Sequence, residues 1–196
     1  LHPLSTGENN TLVSHLLPIE ERPATMRQRI LERAEGNPFY VEELIRALID
    51  GGTIVHDATT GRWQATTGHG ELTLPSTLQG VLRSRIDRLA PETRRVLHIA
   101  AVIGRVFSQS VLAEVARETP SLEMHLLTLQ QEQLIRERAR LPEVTYIFKH
   151  QLTQEAAYAS LLRRRRHILH RQVAEALEHL YPERIEEQLG LLAYHW

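Results

Sequence analysis

The sequence contains no cysteine, which excludes disulfide bonds, thiolate metal sites and a cysteine nucleophile, and fits a reducing compartment. Charge of one sign is also lacking: 23 Lys and Arg stand against 24 Asp and Glu, so no global basic field draws the chain onto nucleic acid or an anionic membrane. No apolar run approaches the ~18 residues of a membrane span, and no charged-then-apolar signal pattern opens the chain. These absences predict a soluble, cytoplasmic protein. Missing too are a Gly-x-x-x-x-Gly-Lys-Ser/Thr loop and a strand ending in paired acids, the parts that cradle nucleotide phosphates and hold Mg²⁺. The expectation is that this chain hydrolyses no ATP by itself. It opens at Leu1 and closes at Trp196 inside a helical pattern, and reads as a segment of something longer.

What is present can build real cores. With 196 residues and 42% hydrophobic content, two small helical units are expected. Ser5 and Thr6 are N-cap candidates for a helix carrying Leu12, Val13, Leu16 and Leu17. Pro23 opens a second helix with Met26, Ile30, Leu31 and Ala34 on one stripe, stopped by Gly36. A third runs from about Phe39 to Ile49, with Val41, Leu44, Ile45 and Leu48 inward, and ends at Asp50-Gly51-Gly52. Residues 53–56 and 62–65 read as a hairpin, and Thr66 to Glu71 as a polar linker.

The second half begins with a helix from Pro75 to Leu89, followed by one from Pro91 to Gly104. Ser108 and Ser121 are read as caps of two shorter helices, and residues 134–139 and 144–148 as strands joined by Arg140-Leu141-Pro142-Glu143. Three helices followed by a hairpin is winged-helix order. Helix is expected again from His150 through Leu162, then after Arg163-Arg164-Arg165-Arg166 as far as Pro182, and finally over Glu186 to Trp196.

Several residues invite chemistry, each beside a plainer reading. Gly36 suits a left-handed helix end and Pro38 the first turn of the next helix; the elbow is either an ordinary joint or a rigid corner whose aromatic pair, Phe39 and Tyr40, could meet a flat ligand. His150 stands at the junction of a strand and a helix, and by itself reads as a structural residue. The Arg163–Arg166 run is either a solvated helix or turn paired with Glu175, Glu178 and other acids, or a nucleic-acid contact. His167 and His170 lie three apart on a helix, but no third ligand follows at useful spacing, so no metal is assigned. The Glu42-Glu43 pair, Asp87 and Glu92 read as surface charges. No catalytic residue is assigned.

Three segments taken together resemble a known family: Ala-Glu-Gly-Asn-Pro-Phe-Tyr-Val-Glu-Glu-Leu at 34–44, Leu-Pro-Ser-Thr-Leu-Gln-Gly-Val-Leu-Arg-Ser-Arg-Ile-Asp-Arg-Leu at 74–89, and Phe-Lys-His-Gln-Leu at 148–152. In this order they resemble the C-terminal part of the ATPase module in signal-transduction ATPases with numerous domains (STAND, within AAA+), especially bacterial members joined to nucleotide cyclases, Ser/Thr kinases or LuxR-type regulators. The resemblance implies a mainly α chain: a helical lid over residues 1–52, a β-hairpin and linker over 53–74, a winged-helix domain over 75–162, and a linking helix with the start of tetratricopeptide (TPR)-like repeats over 163–196. By the same resemblance Gly36 and Pro38 would shape the adenine side of a nucleotide pocket, and His150 would reach the β-phosphate of ADP. Gln151 and Lys149 depart from the acid and the methionine that flank the family's histidine. The implied cofactor is ATP or ADP with Mg²⁺ in a full-length protein, with none held tightly by this segment alone. The implied partners are an intramolecular P-loop core, an effector domain, and a protein or small ligand sensed by the repeats. A DNA-binding winged-helix regulator and a protein-interaction scaffold are the competing readings. Against the first, the predicted third helix of the winged-helix order, Leu122 to Gln131, contains neither Lys nor Arg.

Overall fold

The structure is a computed structural model describing residues 7–8, 11–12, 15, 24–57, 62–65 and 77–196. Among these the chain is mainly helical and divides into two compact units, Leu1–Arg85 and Ile86–Trp196. No described helix is long and apolar enough to cross a membrane.

In the first unit, helix α1 spans Ala24–Ala34 and α2 spans Pro38–Asp50. Strands β1 (Ile54–Asp57) and β2 (Arg62–Ala65) pair antiparallel, Ile54 opposite Ala65 and Asp57 opposite Arg62. Helix α3, Leu78–Arg88, begins in this unit, with the Thr77 hydroxyl accepting the Gly80 N–H at 3.1 Å as a cap. The helical spacing of Ile30 and Ala34 on α1, and of Val41, Leu44, Ile45 and Leu48 on α2, brings them into one core with Tyr40, Ile54 and Val81. Residues 7–8, 11–12 and 15 are helical and Leu12 packs against this core. The remaining expectations for Ser5–Leu17, the opening at Pro23, the burial of Met26 and the 66–71 linker lie outside the described residues. Glu43 departs from expectation. Instead of facing water it is buried and ion-paired to Arg85 of α3, whose Nε lies 3.6 Å from Asp50. Glu43 and Arg85 leave water as a pair, with the more exposed Asp50 adding a second negative charge beside the guanidinium.

The second unit is built on α4, Pro91–Ile103, whose Val96, Leu97, Ile99, Ala100 and Val102 are fully buried. After Gly104 comes β3 (Val106–Ser108), a strand not expected from the sequence, then α5 (Gln109–Val115), α6 (Leu122–Gln131), β4 (Ile135–Ala139) and β5 (Thr145–Phe148). The sheet order is β3-β5-β4, antiparallel throughout, with Val106 opposite Ile147 and Ile135 opposite Phe148. Alternation along β5 turns Tyr146 and Phe148 inward, where Phe107 stacks on the first and meets the edge of the second, each at 5.8 Å. Ser108 caps α5 by accepting the Ser110 and Val111 N–H groups. Ser121 occupies the N-cap position of α6, but it is left-handed at φ 54° and its side chain makes no capping bond.

Helix α7 spans Gln151–Ser160 and α8 spans Arg163–Leu180; a 3-10 turn at Pro182–Arg184 leads into α9, Ile185–His195. Helix α8 packs against α4, α5 and α9. Glu143, in the β4–β5 connection, receives hydrogen bonds from the Ser108 hydroxyl (2.7 Å) and the Tyr181 hydroxyl (2.9 and 3.1 Å), joining the hairpin to the start of α5 and the end of α8.

Candidate functional site

The three residues singled out by sequence fall in both units: Gly36 and Pro38 in the first, His150 in the second. At the elbow, Glu35 and Gly36 both have left-handed backbone, φ 47° and 80°. The Asn37 N–H donates to the Ala34 carbonyl at 2.8 Å, closing the end of α1. Asn37 then starts α2: its side-chain oxygen accepts the Phe39 and Tyr40 N–H groups at 3.1 and 3.3 Å, and Pro38 occupies the first turn, where a missing N–H is harmless. Asn37 is therefore the organising side chain of the turn. Its signal was visible in the sequence as an amide side chain directly before a helix-opening proline. Gly36 is buried and Pro38 exposed. The aromatic pair is divided: Tyr40 turns into the core, its phenol pKa raised by burial, while Phe39 is half-buried.

His150 is the N-cap residue of α7, extended at φ −130° and ψ 142°, and its side chain makes no capping hydrogen bond. Its carbonyl accepts the Thr153 N–H at 3.1 Å, and its Nε2 is shielded from solvent. The preceding Lys149 continues the sheet through its N–H to the Leu134 carbonyl (3.0 Å) and extends its ammonium to Gln133 at 3.3 Å. The following Gln151 bonds along its own helix to Gln154 and Glu155. His150 thus stands at the positive end of a helix dipole, on a junction fixed by the sheet behind it.

The arginine run is not paired with the acids expected for it. Glu175 pairs with Arg171 at 3.5 Å, and Glu178 accepts from the Trp196 indole. Arg166 ends α7, donating to the carbonyls of Leu161 (3.0 Å) and Ala159 (2.9 Å) while its guanidinium lies 4.4 Å from the centre of the Tyr158 ring. Arg163, Arg164 and Arg165 occupy the exposed first turn of α8.

A histidine cluster was missed. The Tyr158 hydroxyl lies 3.1 Å from His170 Nε2, and His170 Nδ1 lies 2.8 Å from Nδ1 of His195 on α9. One donor and one acceptor must share that second contact, so at least one ring is neutral. Burial, then the neighbouring His170, push His195 down to about 4, opposed by the Ile103 backbone; burial likewise lowers His170. Among the described residues no three His, Asp or Glu converge as a metal site.

Two matches to known proteins accompany this geometry. A family model described as a domain of unknown function (DUF8739) matches residues 5–58, a stretch containing α1, the elbow, α2 and β1. The hybrid signal transduction histidine kinase G of Dictyostelium discoideum is 26% identical over 113 residues. That similarity covers 57% of this chain and 3% of the kinase, so the chain corresponds to a small part of that protein.

Proposed function

We propose that this chain is the regulatory part of a STAND-type ATPase module: a helical lid, a winged helix and the first helices of a TPR-like array, relaying the ADP or ATP state of an adjoining P-loop core to an effector. The observation that carries the reading is the position of His150. It follows a unit ordered α4-β3-α5-α6-β4-β5 with sheet order β3-β5-β4, an order that supports a winged-helix reading, and it opens the next helix. A donor there would hold a nucleotide phosphate in the closed state and be withdrawn when the winged helix moves. The exposed Pro38, on a turn stiffened by Asn37, supports a role against the adenine face. The kinase match is with a signalling protein and is compatible with this assignment. DNA binding is disfavoured because α6 carries Glu123 and neither Lys nor Arg, and exposes Met124 and Leu127.

In the intact protein, with the core this reading requires, His150→Ala is expected to speed ADP release and raise basal effector output. Pro38→Ala is expected to shorten nucleotide retention by the loss of about 1 kcal/mol of apolar contact. Unchanged ADP dissociation and output in a folded His150→Ala protein would return His150 to a purely structural role and remove the main support for the switch.

A further inference from the structure

Helices α4 and α8 of the second unit enclose an open cleft of about 170 Å³ whose polar walls are cationic or neutral. Arg94, Arg95 and His98 line it from the first turns of α4, and Arg165 from the first turn of α8; Leu161 and Leu169 form part of its apolar lining. No carboxylate lines it. Arg94 donates to the Asp87 carbonyl at 3.3 Å and to its carboxylate at 3.4 Å, whereas Arg95 is held only loosely, 3.9 and 3.8 Å from Glu92 and Glu118. Arg95 Nε is buried and makes no hydrogen bond, and Arg165 has no ion pair among the described residues. The first turn of α8 carries four arginines and no acid, so the positive end of its dipole is reinforced rather than neutralised. His98 registers the field: burial first, then Arg94, lower its pKa, Asp87 opposes them, and Arg165 adds a smaller lowering.

Like charges gathered around a cavity repel one another, and an entering anion relieves that repulsion. The geometry points to this cleft as an anion site that takes a phosphate group, a dianion matched to several guanidinium forks. Its residues are separate from Gly36, Pro38 and His150, and phosphate here would tie the α7–α8 corner to the start of α4.

The test is titration calorimetry of the 196-residue chain with inorganic phosphate, pyrophosphate and citrate, alongside flotation with phosphatidylcholine vesicles doped with a phosphoinositide. Saturable pyrophosphate binding is expected, weakened about tenfold by Arg165→Gln and by Arg94→Gln, as for loss of a charge-assisted hydrogen bond. Arg163→Gln removes the same charge from outside the cleft and is expected to change affinity by less than about twofold. Circular dichroism checks that each variant is folded. If free pyrophosphate displaces the chain from vesicles, lipid and soluble phosphates share the cleft; if only free pyrophosphate binds, the ligand is a soluble phosphate. Absence of saturable phosphate or pyrophosphate binding, equal loss in all three variants, citrate binding as tight as pyrophosphate, or vesicle capture that Arg165→Gln leaves unchanged would each overturn the assignment.

Discussion

Lowering the pH from 7 to 5 should loosen the second unit through one buried ring. His195 is 4% exposed on α9, faces His170, Tyr194 and the Ile103 backbone, and has a folded-state pKa of about 4 against 6.5 for the free side chain. Because the folded value is depressed, the unfolded chain takes up the proton first. The neutral ring's contribution is complete above about pH 6.5 and is lost as pH falls towards 4. Linkage between these two values removes about 2 kcal/mol by pH 5 and about 3 kcal/mol by pH 4. His170 and His98, also lowered, act in the same direction. For a unit of this size the drop at pH 5 corresponds to roughly 5–10 °C in Tm. The assay is thermal unfolding by circular dichroism at pH 7.5, 6.5, 5.5 and 5.0 for the native chain and for His195→Phe, which keeps a ring but cannot titrate. The variant is expected to begin less stable and to lose less on acidification over this range. Parallel Tm profiles would refute the argument, since the ring would then have no part in the pH dependence.

Substitutions at Arg85, Glu43 and Asn37 probe the first unit. Arg85→Met leaves Glu43 buried opposite an apolar side chain and should destabilise by about 3–5 kcal/mol in urea unfolding, whereas Arg85→Met with Glu43→Leu should recover most of the loss. Asn37→Ala removes the cap of α2 and should destabilise by about 1 kcal/mol; a loss confined to experimental error would show that the backbone of Gly36 and Pro38 suffices to start that helix.

Local grammar was the legible part of the fold. Gly36 and Pro38 marked a helix end and a helix start, Ser108 a cap, and His150 the passage from strand to helix, because each depends on neighbours within a few residues. What escaped depended on distant partners or very short elements. Strand β3 has three residues, too few for alternation to register, and is defined by pairing with β5 some forty positions later. The break between α7 and α8 contains neither glycine nor proline and is closed by Arg166. Burial of Glu43 depends on Arg85, 42 residues away, and the His170–His195 contact spans 25. For the candidate site, helix-end positions were readable, whereas the cleft holding Arg94, Arg95 and Arg165 required two helices to meet.

Glu143 bears on how the protein can be dissected. One carboxylate receives the hydroxyls of Ser108 and Tyr181, so the connection between β4 and β5 is held from a position beyond the end of α8. A shortened form cut after β5, although it would retain the whole sheet, would lack the distal clasp on that sheet's own turn. Expression boundaries for this half of the chain should therefore be set past Tyr181, and loss of order near Glu143 in a shorter form should be traced to the missing phenol before any defect in the strands is inferred.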